Sequence, residues 1–135
     1  MGDSVNLAAR LEGASKLYGV GIVVGEATRA AAPDFLYREL DRVRVVGKQE
    51  AVAIFEPRCP LAGAAAAELA QLERWHAVLA SLRARDWAAA GGQLARLQAD
   101  FPDDGLYRLY AARLEQYQNA PPPAGWDGVT ELHSK

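Results

Sequence analysis

Cysteine and histidine are scarce in this sequence, which limits the metal sites and cross-links that it can form. Cys59 is the single cysteine of the 135 residues, so the chain can form neither an internal disulfide nor a thiolate metal cage. The two histidines, His76 and His133, are far apart and lack the spacing of metal ligands. We therefore expect the chain itself to bind no metal, and we take a reducing, cytoplasmic setting as the default.

An excess of charge of one sign and long apolar runs are also absent. The chain carries 15 basic and 17 acidic residues, a net charge of −2, which gives no electrostatic reason to expect a nucleic-acid partner. No run approaches about 18 consecutive apolar residues, and no basic-then-apolar leader is visible. We expect no membrane contact by this segment. Half of the residues are hydrophobic, which is enough for a packed core.

The first 57 residues alternate between helical and extended patterns. Apolar side chains at helical spacing begin after Asp3 or Ser4, either of which can cap a helix, and Gly19 is placed to end it. Short β-branched or alternating runs follow, separated by turn residues. The patterns predict an α+β half-domain that ends in a hairpin, with helices at 4–18 and 25–32, strands at 21–24, 35–40, 42–46 and 52–56, and a turn at 47–50.

The second half of the sequence has a different residue pattern, a linker followed by helical periodicity. Prolines and a glycine at 57–63 predict a linker, which we place at 58–63. Residues 64–119 predict three helices: one at 64–84, one that starts at Arg85 or Asp86, and one capped by Asp103 and Asp104. Their pattern partly resembles a tetratricopeptide repeat, but one and a half units are too few for a solenoid, which favours a plain helical bundle. The tail, 120–135, is Pro-rich, and Trp126 is expected to dock on the helices.

A polar pair, Asn6 and Arg10, lies four residues apart on the first predicted helix. Side chains at this spacing share a helix face. A neutral amide beside a forked cation suits a ligand in which a ribose lies next to a phosphate. The same spacing is also common on solvated helix faces, so the spacing alone leaves both interpretations open.

The string around this pair, Gly2-Asp3-Ser4-Val5-Asn6-Leu7-Ala8-Ala9-Arg10-Leu11-Glu12, resembles a segment of class III adenylate/guanylate cyclases. The resemblance continues in order through residue 57, and it takes in Tyr18-Gly19, Ile22-Val23-Val24, Glu26-Ala27-Thr28, Phe35, Arg38-Glu39-Leu40, Val43, Val45, Gly47-Lys48 and Ile54-Phe55-Glu56-Pro57. It implies a truncated ferredoxin-like cyclase half-domain at 1–57, followed by a three-helix TPR-like extension. It also implies that Asn6 contacts the ribose and Arg10 steadies the transition-state phosphate.

Two departures from the family pattern affect the expected site. The family places a lysine directly before the hairpin glycine, where this chain has Val46. Lys48, after Gly47, is the nearest ammonium, although a lysine in a turn is more often simply solvated. The resemblance therefore implies Asn6 and Arg10 as catalytic residues and Gly2, Asn6 and Lys48 as substrate-binding residues.

The family's metal-binding aspartates and base-reading residues lie upstream of this motif and have no counterpart in this sequence. The resemblance thus implies the C-terminal part of a longer protein, here called the parent cyclase. The parent would use ATP with Mg or Mn, at sites shared between two chains paired head to tail. The 135 residues alone are expected to bind no metal and to be inactive. Self-association, as a homodimer or higher oligomer, is expected because the sheet would lack its first strands.

The helices and tail resemble the C-terminal extension of bacterial cyclases that carry a CHASE-type sensor, which often end in a stretch such as Trp126-Asp127-Gly128-Val129. That resemblance implies a membrane-anchored parent with this segment on the cytoplasmic side. One alternative from a different class stays open: the chain could be a non-catalytic interaction module that binds a partner through its helical extension.

Overall fold

The computed structural model describes residues 13–45 and 50–132, and these form a mixed arrangement of helices and sheet, as the α+β prediction requires. The chain divides into two compact units. The sheet unit takes residues 1–64 and 129–135, and the helical unit takes residues 65–128. The chain therefore leaves the sheet unit once and returns to it at its end.

Four strands form the sheet of the first unit: β1 (Val24–Gly25), β2 (Phe35–Val45), β3 (Val52–Pro60) and β4 (Thr130–Leu132). Their order across the sheet is β1-β3-β2-β4. Strand β3 is antiparallel to both β1 and β2, which confirms the predicted hairpin, whereas β4 runs parallel to β2. The end of the predicted Pro-rich tail is therefore a strand.

Strand β2 contains a β-bulge at Leu40, and the prediction of two strands at 35–40 and 42–46 is therefore wrong. Glu39 pairs with Phe55 and Asp41 pairs with Ile54, so Leu40 is an extra residue without a counterpart on β3. The bulge interrupts the alternation of side chains, because Leu40 and Asp41 are both buried before alternation resumes at the exposed Arg42. In the sequence this interruption looks like a break between two strands.

The strand limits differ from prediction at two further places. The predicted buried strand at 21–24 is reduced to the two-residue β1, and Ile22 before it is 60% exposed. A β-branched run indicates extended backbone but does not show how much of it finds a pairing strand. Strand β3 continues through residues 58–60, which were predicted as linker, and Pro57 and Pro60 lie within its pairing with β2. Among the described residues β1 pairs with β3 at Ile54 and Phe55 only, so both prolines lie where β3 has an open edge, as proline requires.

The first predicted helix is described only at its end, where residues 13–18 are helical. Gly19 follows with a φ of 69°, and the N–H groups of Gly19 and Val20 donate to the carbonyls of Lys16 and Ser15 at 3.3 and 3.0 Å. This pair of bonds is a Schellman motif, which confirms that Gly19 ends the helix. The start predicted at Ser4 lies outside the described residues. The next predicted helix is confirmed as α1 (Glu26–Ala31).

The helical unit contains the three predicted helices: α2 (Ala66–Arg83), α3 (Trp87–Asp100) and α4 (Gly105–Asn119). The predicted caps are confirmed for two of them, since Asp86 accepts from the N–H of Ala89 and Asp104 from that of Leu106, at 3.1 and 3.0 Å. The core is built around the indole of Trp75 and aromatic and aliphatic side chains of all three helices, namely Leu72, Val78, Leu79, Leu82, Ala90, Leu94, Leu97, Leu106, Tyr107, Tyr110 and Leu114.

The tail packs on the helices, as predicted for Trp126. Its ring centroid lies 5.9 Å from that of Trp87 and 5.3 Å from that of Tyr117. The guanidinium of Arg85 donates to the carbonyls of Pro122 and Pro123, at 2.9 and 3.2 Å. Arg85 itself has a φ of 64°, a left-handed conformation in the turn between α2 and α3 that a glycine would adopt more easily. The guanidinium of Arg85 and the aromatic cluster around Trp126 thus hold the Pro-rich segment against the helices.

Candidate functional site

The predicted site residues all lie outside the described residues; they are Gly2, Asn6, Arg10 and Lys48. The structure does describe the segments that adjoin them in the chain. These are the helical stretch 13–18, which follows Arg10, and the strands that flank the 46–51 connection, with β2 ending at Val45 and β3 beginning at Val52.

A buried hydrogen bond joins two of these segments. The hydroxyl of Tyr18, the last residue of the helical stretch, donates to Oδ2 of Asp41 at 2.6 Å. Both residues are buried, with 0% and 3% of their surface exposed. The other carboxylate oxygen, Oδ1, accepts from the backbone N–H of Arg42 at 2.7 Å. Each oxygen of this buried carboxylate therefore has a donor, as burial of a charged group requires.

A second buried polar group lies across the β2–β3 hairpin. Arg38 is 2% exposed and sits opposite Glu56, and its Nε and Nη2 atoms both lie 2.8 Å from Glu56 Oε1. Arg58 Nη1 approaches the same oxygen at 3.1 Å. One carboxylate oxygen thus binds two guanidinium groups. Its geometry is that of a structural ion pair, since the buried guanidinium is directed at a carboxylate of the protein itself.

The bulge at Leu40 creates this ion pair. Residues paired near the turn, Val43 with Val52 and Asp41 with Ile54, would place Glu39 opposite Glu56 if the register continued unchanged. The extra residue shifts the register by one, and Arg38 takes that position instead. A like-charge pair directly across two strands is destabilising, whereas an opposite pair is favourable. The bulge therefore replaces a repulsive cross-strand pair with an attractive one.

Among residues 13–45 and 50–132, no group of three or more His, Cys, Asp or Glu side chains comes together to hold a metal ion. The described residues therefore do not fit a metal centre. Within the same ranges, no helix combines the length and the apolar character needed to cross a membrane.

Comparison with known proteins relates part of the chain to adenylate cyclases. Over 60 residues it is 42% identical to an adenylate cyclase of Anabaena cylindrica, an alignment that covers 42% of this chain and 12% of that protein. Over 57 residues it is 39% identical to adenylate cyclase 1 of Rhizobium meliloti (strain 1021), covering 42% of this chain and 9% of that protein. The aligned part of the chain is thus similar to adenylate cyclases. The aligned stretch spans about a tenth of either relative, and no family model and no solved structure matches.

Sequence reasoning did not identify the two buried polar contacts. Tyr18 is the last residue of the helix predicted at 4–18, and the partner of its buried hydroxyl was not foreseen. Asp41 fell between two predicted strands. The sequence carried no signal for either contact, because the register that would set Glu39 against Glu56 follows only from the observed pairing near the turn.

Replacing Glu56 with glutamine tests whether the Arg38 cluster stabilises the sheet. The variant keeps the size of the side chain but removes the carboxylate charge that faces the buried guanidinium of Arg38, so we expect the free energy of unfolding to fall by about 3 kcal/mol. Asp100→Asn is the matched control, because it removes a carboxylate from the Arg74–Asp100 pair, whose side chains are 39% and 57% exposed. We expect it to cost less than about 1 kcal/mol. Urea unfolding followed by circular dichroism measures both changes, and equal losses would contradict the prediction.

Proposed function

We propose that this chain is part of an adenylate cyclase that converts ATP to cyclic AMP and pyrophosphate. The observation that carries the proposal is the similarity to two proteins named adenylate cyclase, at 42% and 39% identity over about 60 residues. The Asn6–Arg10 pair supports it, because a ribose next to a phosphate is the ligand that this pair suits. In the proposed parent, residues 1–57 form the second half of a ferredoxin-like catalytic domain, and the helices form a TPR-like extension.

The reaction is an intramolecular displacement. The ribose 3′-oxygen of ATP loses its proton and forms a bond to the α-phosphorus, and the bond from that phosphorus to the pyrophosphate oxygen breaks. Arg10 stabilises the negative charge that develops on the phosphate oxygens in the transition state. Asn6 holds the ribose so that its 3′-oxygen faces the phosphorus. Gly2 and Lys48 are the further substrate contacts that we propose.

Mg or Mn in the parent cyclase would help to activate the attacking oxygen. The described residues of this chain do not fit a metal centre. We therefore propose that the metal ligands come from another part of the parent and assign none to this chain. We also propose that this segment lies on the cytoplasmic side of a membrane-anchored protein. The helical extension and its tail correspond, in this proposal, to the extension of CHASE-sensor cyclases.

The 135-residue chain on its own is expected to form no cyclic AMP from ATP with either magnesium or manganese. The reason is that the metal-binding aspartates that the family resemblance implies, whose carboxylates are the hard oxygen ligands such metals need, have no counterpart in these 135 residues. The measurement is product formation by chromatography after rigorous purification of the protein. Turnover that follows the chain through purification, and is lost in Arg10→Ala, would overturn this expectation.

In the longest natural chain that contains these residues, Arg10→Ala and Asn6→Ala are each expected to lower kcat by about 100-fold. The folded structure should persist, so the thermal unfolding midpoint should change little. Arg96→Ala is the matched control, because Arg96 is an exposed arginine on α3. It should leave kcat unchanged. A wild-type kcat in both motif variants would refute the assigned roles and favour a non-catalytic interaction module.

We propose further that the chain self-associates through its sheet unit. The supporting observation is Ile22, which is 60% exposed next to β1, and β1 pairs on one side only among the described residues. An open strand edge beside an exposed apolar side chain favours association. Ile22→Lys should therefore shift the chain towards monomer in light scattering at tens of micromolar. The matched control, Leu69→Lys, changes an equally apolar, 45% exposed residue of the helical unit and should leave the oligomer intact. A monomeric wild-type chain, or equal effects of both variants, would contradict the proposal.

A further inference from the structure

We propose that Arg85, Trp87 and Tyr117 form a binding site for a proline-rich segment of a partner protein, and that the chain's own tail occupies this site as a competitor. The three residues are called the peptide site below, and they lie within the helical unit. The proposal goes beyond the proposed cyclase function and does not rest on it. It gives the helical extension a site and a class of ligand.

Arg85 lies at a backbone position where glycine is usual. It has a φ of 64° at the end of α2, and its N–H and that of the next residue donate to the carbonyls of Leu82 and Ser81 at 3.0 and 2.9 Å. This is a Schellman motif, in which the left-handed residue is most often glycine because a Cβ is strained there. Residues held in such strained conformations cluster at binding and catalytic sites. The strain at Arg85 therefore points to a role for its guanidinium.

That guanidinium binds the backbone of a proline segment. Its Nη2 donates to the carbonyl of Pro122 at 2.9 Å and its Nη1 to the carbonyl of Pro123 at 3.2 Å. Proline fixes its own φ and restricts the residue before it to extended conformations, so the run Pro121–Pro123 is a stiff segment. Such a segment makes no internal hydrogen bonds, and its carbonyls remain available to a donor. The planar fork of an arginine suits two carbonyls held at a fixed spacing.

Aromatic rings complete the contact. The ring centroids of Trp87 and Tyr117 are 5.3 Å apart, and the ring of Trp126 lies 5.9 and 5.3 Å from them. The guanidinium carbon of Arg85 is 5.7 Å from the centroid of the Trp87 ring, within the range of a cation–π contact. The N–H of Trp126 donates to the carbonyl of Pro123 at 2.9 Å, which closes a turn between the prolines and the tryptophan. Aromatic side chains line the grooves in which proteins recognise proline-rich peptides.

The docked tail is largely exposed, which favours its exchange for another segment. Pro122 and Trp126 are half-buried, and every other residue of 121–127 is exposed. One of the two guanidinium hydrogen bonds is exposed as well. Trp87 and Tyr117 lie outside the buried core of the helical unit. Contacts of this kind can open locally while the helices stay folded.

The tail competes with a partner because it is tethered to the site. A short flexible tether gives a docked segment an effective concentration on the order of millimolar. A peptide that binds the empty site with a Kd of about 0.1 mM would therefore bind the wild-type chain about tenfold more weakly. The tail thus sets a threshold that a proline-rich partner must exceed by affinity or local concentration.

The test measures how a labelled peptide with the sequence of residues 119–128 binds to the full 135-residue chain, by fluorescence anisotropy. Trp126→Ala in the chain frees the peptide site, because it removes the ring that docks there and keeps the three site residues. We expect this variant to bind the peptide about tenfold more tightly than the wild type. Adding Arg85→Gly should weaken binding again by about tenfold or more, since it removes two charge-assisted hydrogen bonds. Glycine suits the backbone at this turn, so the thermal midpoint should change little.

Matched controls address the site and the peptide separately. Arg96→Ala, added to Trp126→Ala in place of Arg85→Gly, removes an exposed arginine of α3 and should leave the affinity unchanged. A peptide with serine at both Pro122 and Pro123 loses the stiff backbone and should bind several-fold more weakly. The same two substitutions made in the chain, Pro122→Ser/Pro123→Ser, release the tail by a second route. They should raise the affinity for the unchanged peptide as Trp126→Ala does.

Three outcomes would overturn the proposal. They are no peptide binding to either released variant at about 1 mM, equal affinities of the wild type and both released variants, and equal effects of Arg85→Gly and Arg96→Ala. Equal binding of the proline and serine peptides would refute the assigned class of ligand. Cyclase activity enters none of these measurements, so the peptide site and the proposed function stand or fail independently.

Discussion

The sheet unit depends on one irregularity, the extra residue Leu40 in strand β2. A bulge interrupts regular pairing at one position, but this bulge determines the positions of two buried charged side chains. It sets Arg38 opposite Glu56 on β3, and it buries Asp41 beside Leu40, where the hydroxyl of Tyr18 reaches it. Without the shift, two glutamates would face each other across the hairpin. The bulge thus allows β2 to bury the charged side chains of Arg38 and Asp41 with partners.

The two units are stabilised by different means. The core of the helical unit is dominated by rings and aliphatic chains, with Trp75 against Tyr107 and Tyr110 at centroid distances of 5.4 and 4.9 Å. The sheet unit instead buries an arginine and an aspartate, each compensated by a specific contact. Buried charges tolerate little displacement, because a lost contact leaves a desolvated ion, whereas apolar packing adapts more readily.

Sequence reasoning predicted elements with strong local signals and failed where long-range pairing decides. Helical periodicity and the caps Asp86 and Asp104 predicted the bounds of α2 to α4 closely, and Gly19 correctly predicted a helix end. The sequence patterns did not predict that β2 is one continuous strand or that β1 is only two residues long. Both features depend on how the strands pair, and a short stretch of sequence does not show its pairing partners. The motif residues Asn6 and Arg10 were proposed through resemblance and lie outside the described residues. The hydrogen bond of Tyr18 with Asp41 was not predicted, because 23 residues separate the two and no short pattern joins them.

The parallel pairing of β4 with β2 has a consequence for how the protein is made. Val43 pairs with Thr130, so the sheet recruits its last strand from the far end of the chain, after the whole helical unit has been synthesised. Helices with mostly local contacts form quickly, whereas a contact between distant segments must overcome the entropy of closing a long loop. On the ribosome, β2 therefore has an open edge at Val43–Val45 until Thr130–Leu132 has been synthesised. A nascent chain that is interrupted within α4 would have this edge unprotected, so the synthesis of the helical unit is the stage at which the sheet is most exposed to aggregation.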